Sequence, residues 1–129
     1  ALLAGAAGAA LTALGLYPAT QVFQLQEDQE RGDRTLAIAL GPKAALRLGA
    51  ACLALGGSVA AWLVARRFGP PDAALVALGY AALIVMLERL ARRLGSSREG
   101  GHYRPAMRIT RWATAGFLLF LALEAVGGE

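Results

Sequence analysis

Long apolar runs alternate with short charged ones along this chain. Residues 1–24, 44–64, 72–94 and 109–126 are dominated by Ala, Leu, Val and Gly. A helix rises ~1.5 Å per residue, so about 20 apolar residues cross a bilayer's hydrocarbon layer. Four such runs predict four transmembrane helices. Membrane strands would need apolar and polar residues to alternate, and these runs do not. The expected fold class is therefore all-α, a polytopic membrane helix bundle built as one membrane domain over 1–129. Residues 25–43 are expected as a loop between the first two spans.

Punctuation within and between the runs refines this layout. Pro18 removes an amide donor and predicts a kink in the first helix near Leu14–Pro18. Gly32 suits a helix end, RTLAIAL is long enough for a short helix only, and Gly41-Pro42 reads as a restart with Pro in the first turn. Gly5, Gly8, Gly56 and Gly57 are candidates for close helix approach in lipid. RFGPPD predicts a tight turn, GSSREGGHYRP a loop, and Trp112 an interfacial anchor.

Composition agrees with a membrane protein. Hydrophobic residues make up 57% of the chain and charged residues 17%, against about 45–50% and about 25% in soluble domains. The net charge of +4 raises nucleic acid as a partner, but the cations sit at the ends of apolar runs, so no nucleic acid is expected. With four spans, one side collects Arg31, Arg34, Lys43, Arg47, Arg89, Arg92, Arg93, Arg98, Arg104, Arg108 and Arg111, and the other only Arg66 and Arg67. That asymmetry places the first side in the cytoplasm, in a bacterial inner membrane, with the charged loop facing inward. The single Cys52 excludes an internal disulfide and a thiolate cluster. The opening ALLAGAAGAA has neither Met nor a basic stretch and reads as a chain entered partway through a helix. The expectation is the C-terminal portion of a longer protein, with further helices preceding it.

The charged stretch QEDQERGDRTLAIALGPK, Gln26 to Lys43, carries the candidate chemistry. If the first helix continues, Gln21, Gln24, Asp28 and Arg31 follow one another at steps of three and four and share a face. A polar face on an apolar helix is expected to point into the bundle or a water-filled cavity. Carboxylates and amides one turn apart suit Mg²⁺, which binds through one or two carboxylates plus substrate phosphates. Arg31, Arg34 and Lys43 are placed to grip phosphate oxygens. The alternative is a solvated loop whose charges neutralise one another.

YPATQVFQLQEDQERGDRTLAIALGP resembles the second aspartate-rich motif of the UbiA family of intramembrane prenyltransferases. There a helix ends in D-x-x-x-D, followed by G-x-R-T-L-A and a closing L-G. Asp28, Gly32, Arg34, Thr35, Leu36, Ala37, Leu40 and Gly41 match in register. The resemblance covers about 17–49 and implies the end of a nine-helix fold. It also implies transfer of an isoprenyl group from a prenyl diphosphate to a small hydrophobic, aromatic acceptor, with Mg²⁺ as cofactor. Asp28 is the implied metal ligand, with Gln24 and Glu27 as helpers; Arg31, Arg34 and Lys43 are diphosphate contacts and Gln21 lines the cavity. Tyr17, Phe23, Tyr80 and Tyr103 are candidates to stabilise an allylic cation. Gln24 stands where the family has the first Asp, and the family's other motif, N-x-x-x-D-x-x-x-D, is not in these 129 residues. This stretch alone is therefore expected to be inactive.

A rival reading is a non-catalytic four-helix membrane module, a transporter half or assembly subunit. Transporters place ionisable residues near the midplane, whereas here they gather at one surface. His102 reads as a solvated loop residue, Glu88 and Arg92 as an i,i+4 pair, and Glu124 as interfacial. Met107, Phe117 and Phe120 read as packing and lipid contacts.

Overall fold

The computed structural model describes residues 2–94, 111, 112 and 114–116. Every described element is a helix: α1 (Leu2–Arg31), α2 (Leu36–Leu40), α3 (Pro42–Arg67) and α4 (Pro70–Leu94). By length and composition, α1, α3 and α4 can each cross a membrane, consistent with a multi-pass membrane protein. The expected fourth span lies largely outside the described residues, although 111, 112 and 114–116 are helical. His102, Tyr103, Met107, Phe117, Phe120, Glu124, Arg98, Arg104 and Arg108 also lie outside them.

The expected loop over 25–43 is mostly helix. Its first part, LQEDQER, contains only good or moderate helix formers, so α1 continues to Arg31. Gly32 then takes φ +74. Its amide donates to the Gln29 carbonyl at 3.2 Å, and the Asp33 amide donates to the Asp28 carbonyl at 2.9 Å. This pair of bonds satisfies two otherwise orphaned carbonyls and closes the helix. Thr35 opens α2, its hydroxyl accepting from the Ile38 amide at 3.4 Å. Gly41, at φ 82 and ψ 150, lets α2 pass directly into α3 with Pro42 in its first turn. Pro18 lies inside α1, fully buried.

α1 and α3 run antiparallel and meet through glycines. A Cβ on Gly49 would stand 2.5 Å from the Gly15 carbonyl oxygen, and one on Gly15 2.8 Å from the Gly49 oxygen. Seven residues on, Gly8 and Gly56 repeat the arrangement with looser contacts. Among the small residues expected at such crossings, Gly5 touches only the tip of Leu63.

α4 packs on another side of α3, where the Tyr80 ring lies over Gly57 at 2.6 Å from where a Cβ would be. The ring thereby crosses α3 and brings its hydroxyl 2.7 Å from Thr12 Oγ1 on α1. Thr12 spends its only proton on the Gly8 carbonyl at 2.8 Å, so Tyr80 is the donor. One tyrosine thus ties together all three long helices.

The buried apolar core lies towards the charged end, formed by Ala19 and Val22 of α1, Ala37 of α2, Ala45, Leu46, Ala50 and Leu53 of α3, and Leu87, Leu90 and Ala91 of α4. At the α3–α4 turn, Arg66 stacks on Trp62 and Arg67 on Phe68, at 5.1 and 5.4 Å from the ring centres. Such pairs suit a membrane–water interface.

Candidate functional site

Helix geometry separates the polar residues of α1 more sharply than their spacing suggests. At ~100° per residue, Asp28 lies about 20° from Gln21 around the axis, Gln24 about 60°, Arg31 about 80°, and Glu27 about 100° from Asp28. The packed side of α1 admits only the first two. Gln21 is 7% exposed and Asp28 8%, whereas Gln24, Glu27 and Arg31 are exposed. The expected single polar face is therefore split into an inner pair and an outer group.

Gln21 has a definite partner. Its Oε1 accepts from the Ala37 amide at 3.3 Å, a buried bond across 16 residues. The Ala37 amide sits in the first turn of α2, where helical amides lack internal partners. Gln21 thus pins the start of α2 onto α1, two residues from Thr35 and three from Arg34. No cavity lined by Gln21 is required to explain its burial.

Asp28 is different. Its carboxylate accepts no hydrogen bond and forms no ion pair with any described residue, yet the carboxylate oxygens are not sealed off. A largely buried carboxylate without a partner is costly, so it favours an incoming cation or donor. In the outer group, Glu27 is paired with Arg31, and the Gln26 amide donates to Glu30 Oε1 at 3.2 Å. Glu27 and Arg31, expected as metal helper and diphosphate contact, hold each other at the exposed surface. Arg34 is exposed and unpaired among the described residues. Lys43 is also exposed, on the first turn of α3, where it shares an open depression with Arg47 and Leu94 that includes none of Gln24, Glu27 or Asp28.

No group of three His, Cys, Asp or Glu side chains gathers among the described residues. One accessible carboxylate fits Mg²⁺ only where substrate phosphates or further carboxylates complete the shell, which is the usual way this ion is held. Elsewhere, Glu88 and Arg92 form no ion pair with each other, contrary to the expectation from their i,i+4 spacing, and Cys52 is a half-buried free thiol. Sequence spacing missed two features: the bond from Gln21 to α2, and Arg47 beside Lys43. The second was visible as two cations four apart.

No protein-family model matches this chain, nor does any curated protein or solved structure.

Proposed function

We propose that this chain supplies one half of the metal–diphosphate centre of a UbiA-like prenyltransferase, moving an isoprenyl group from its diphosphate to a small hydrophobic acceptor within the membrane. The observation that carries the reading is Asp28: a carboxylate 8% exposed, without a partner among the described residues, at the charged end of three apolar helices. The motif match around it, from Gly32 to Gly41, supports the same reading.

In this reading Asp28 holds Mg²⁺, with Gln24 reaching it through water. The ion, when bound, neutralises charge developing on the departing diphosphate. Arg34 contacts phosphate oxygens, and Lys43 and Arg31 stand as further cations at the same end. Gln21 positions the α2 segment that carries Arg34. The apolar helices exclude water from the isoprenyl chain. The reading requires an opposing N-x-x-x-D-x-x-x-D motif, which these 129 residues do not contain, so it concerns a centre of which this stretch is one half, with the loop on the cytoplasmic face.

The test is Asp28→Asn in the full-length protein, assayed with a radiolabelled prenyl diphosphate and titrated Mg²⁺. Loss of a charged group that acts on the transition state costs roughly 10²–10³-fold in rate, and Mn²⁺ binding read by electron paramagnetic resonance should weaken in parallel. Transfer and Mn²⁺ binding both near wild type would remove Asp28 from the centre, whereas no Mg²⁺-dependent transfer by the wild type would remove the prenyltransferase reading itself.

A further inference from the structure

The depression beside Pro42 has a two-part chemistry distinct from that around Asp28. It is open, about 520 Å³, with Leu40, Pro42, Ala44 and Leu94 as apolar walls and Lys43 and Arg47 as its cations. Among the described residues, no carboxylate lines it. Lys43 and Arg47 lie one helical turn apart, both exposed, and neither pairs with a described residue. Beside them, about 90° round α3 on average, Ala44, Leu48, Ala51 and Leu55 are all exposed, forming an apolar track that starts at Ala44 in the wall of the depression and follows the spanning part of the helix.

A ligand that matches both parts has a compact negative headgroup and a long apolar tail lying parallel to a transmembrane helix. Two uncompensated positive charges at the end of a spanning helix favour a headgroup of net negative charge over a zwitterionic one. The apolar track favours a lipid over a soluble phosphate, which would leave it bare. We propose that this surface is a binding site for one anionic phospholipid, taken from the leaflet at the Arg31–Leu94 end of the bundle. The proposal stands on α3 and Leu94 and does not rest on prenyl transfer.

The experiment reconstitutes the full chain in phosphatidylcholine vesicles doped with spin-labelled phosphatidylglycerol or spin-labelled phosphatidylcholine, and measures the motionally restricted fraction of each. The wild type should prefer phosphatidylglycerol. At the usual surface interaction of a lipid-facing cation, Lys43→Gln and Arg47→Gln each lower that preference about fivefold and the double variant about thirtyfold. The swap Lys43→Arg with Arg47→Lys restores it. Arg89→Gln, exposed but outside the depression, should change it less than twofold, separating a local site from general surface charge. Because these side chains are exposed, folding is checked simply by unchanged helical circular dichroism. Equal restriction of the two lipids by the wild type overturns the proposal, as does an equal loss with Arg89→Gln. A third arm adds millimolar inorganic diphosphate: displacement of phosphatidylglycerol at an ionic strength where chloride has no effect would overturn the lipid assignment and give the depression to a soluble diphosphate.

Discussion

Gly49→Ala is the most exposing single change at the α1–α3 crossing. The added methyl would sit 2.5 Å from the Gly15 carbonyl oxygen and 3.3 Å from Pro18 Cγ, about 1 Å inside ordinary van der Waals contact with the oxygen. That oxygen belongs to the backbone of a helix and has no rotamer to change, so the helices themselves must separate. Overpacking costs about 1–3 kcal/mol, and an immovable neighbour places this case near ~3 kcal/mol. Alanine's better helix propensity returns up to ~1 kcal/mol. The expected net loss is about 2 kcal/mol, roughly a thirtyfold shift in the unfolding equilibrium. Gly79→Ala is the matched control, since a Cβ there meets nothing within 4 Å; it should be neutral or stabilising by up to ~1 kcal/mol. Reversible unfolding in bicelles by added dodecyl sulfate, followed by far-ultraviolet circular dichroism, measures both. A Gly49→Ala protein as stable as Gly79→Ala would refute the close crossing and with it the antiparallel pairing of α1 and α3 through these glycines.

Two more expectations follow from single contacts. Tyr80→Phe and Thr12→Val should each cost about 0.6 kcal/mol, the average for an interhelical hydrogen bond in a membrane, and the double variant should cost little more than either alone; additive losses in the same unfolding assay would mean that the hydroxyls do not touch. Gln21→Leu should raise amide exchange at Ala37, while Gln21→Glu, which keeps an acceptor oxygen, should not; equal exchange in the two variants would show that the side chain does not hold α2.

Much of the backbone plan was legible because its signals are local. Gly32, Gly41 and Pro42 mark helix ends through chemistry that acts within a few residues, and each lies at an end in the structure. The run from Leu25 to Arg31 was less legible, because charge suggests a loop while helix propensity carries α1 onward. The inner and outer polar groups depend on angles: a three-residue step misses a full turn by about 60°, and the packed side of α1 takes in Gln21 and Asp28 but neither Gln24 nor Arg31. The α1–α3 crossing left one periodic trace, glycines seven apart on each helix (Gly8 and Gly15, Gly49 and Gly56). Gly8 and Gly56 stood out as small residues, yet the tightest approach is at the other pair, Gly15 on Gly49. Tyr80, an aromatic candidate for the cavity, instead lies across Gly57 and bonds to Thr12, a contact spanning 68 residues that only the packing of three helices can create.

The glycine crossing also acts mechanically. With backbone against backbone at Gly15 and Gly49, and Leu53 and Pro18 packed beside them, α1 and α3 resist sliding and separation while leaving rotation about the contact as the soft motion. Asp28 stands thirteen residues beyond this fulcrum, a lever of about 20 Å at helical rise. A tilt of only ~3° at the crossing therefore displaces the carboxylate by ~1 Å. Pro18, three residues past the fulcrum, removes the internal hydrogen bond to the Leu14 carbonyl, so the turn that lacks this bond straddles the crossing itself.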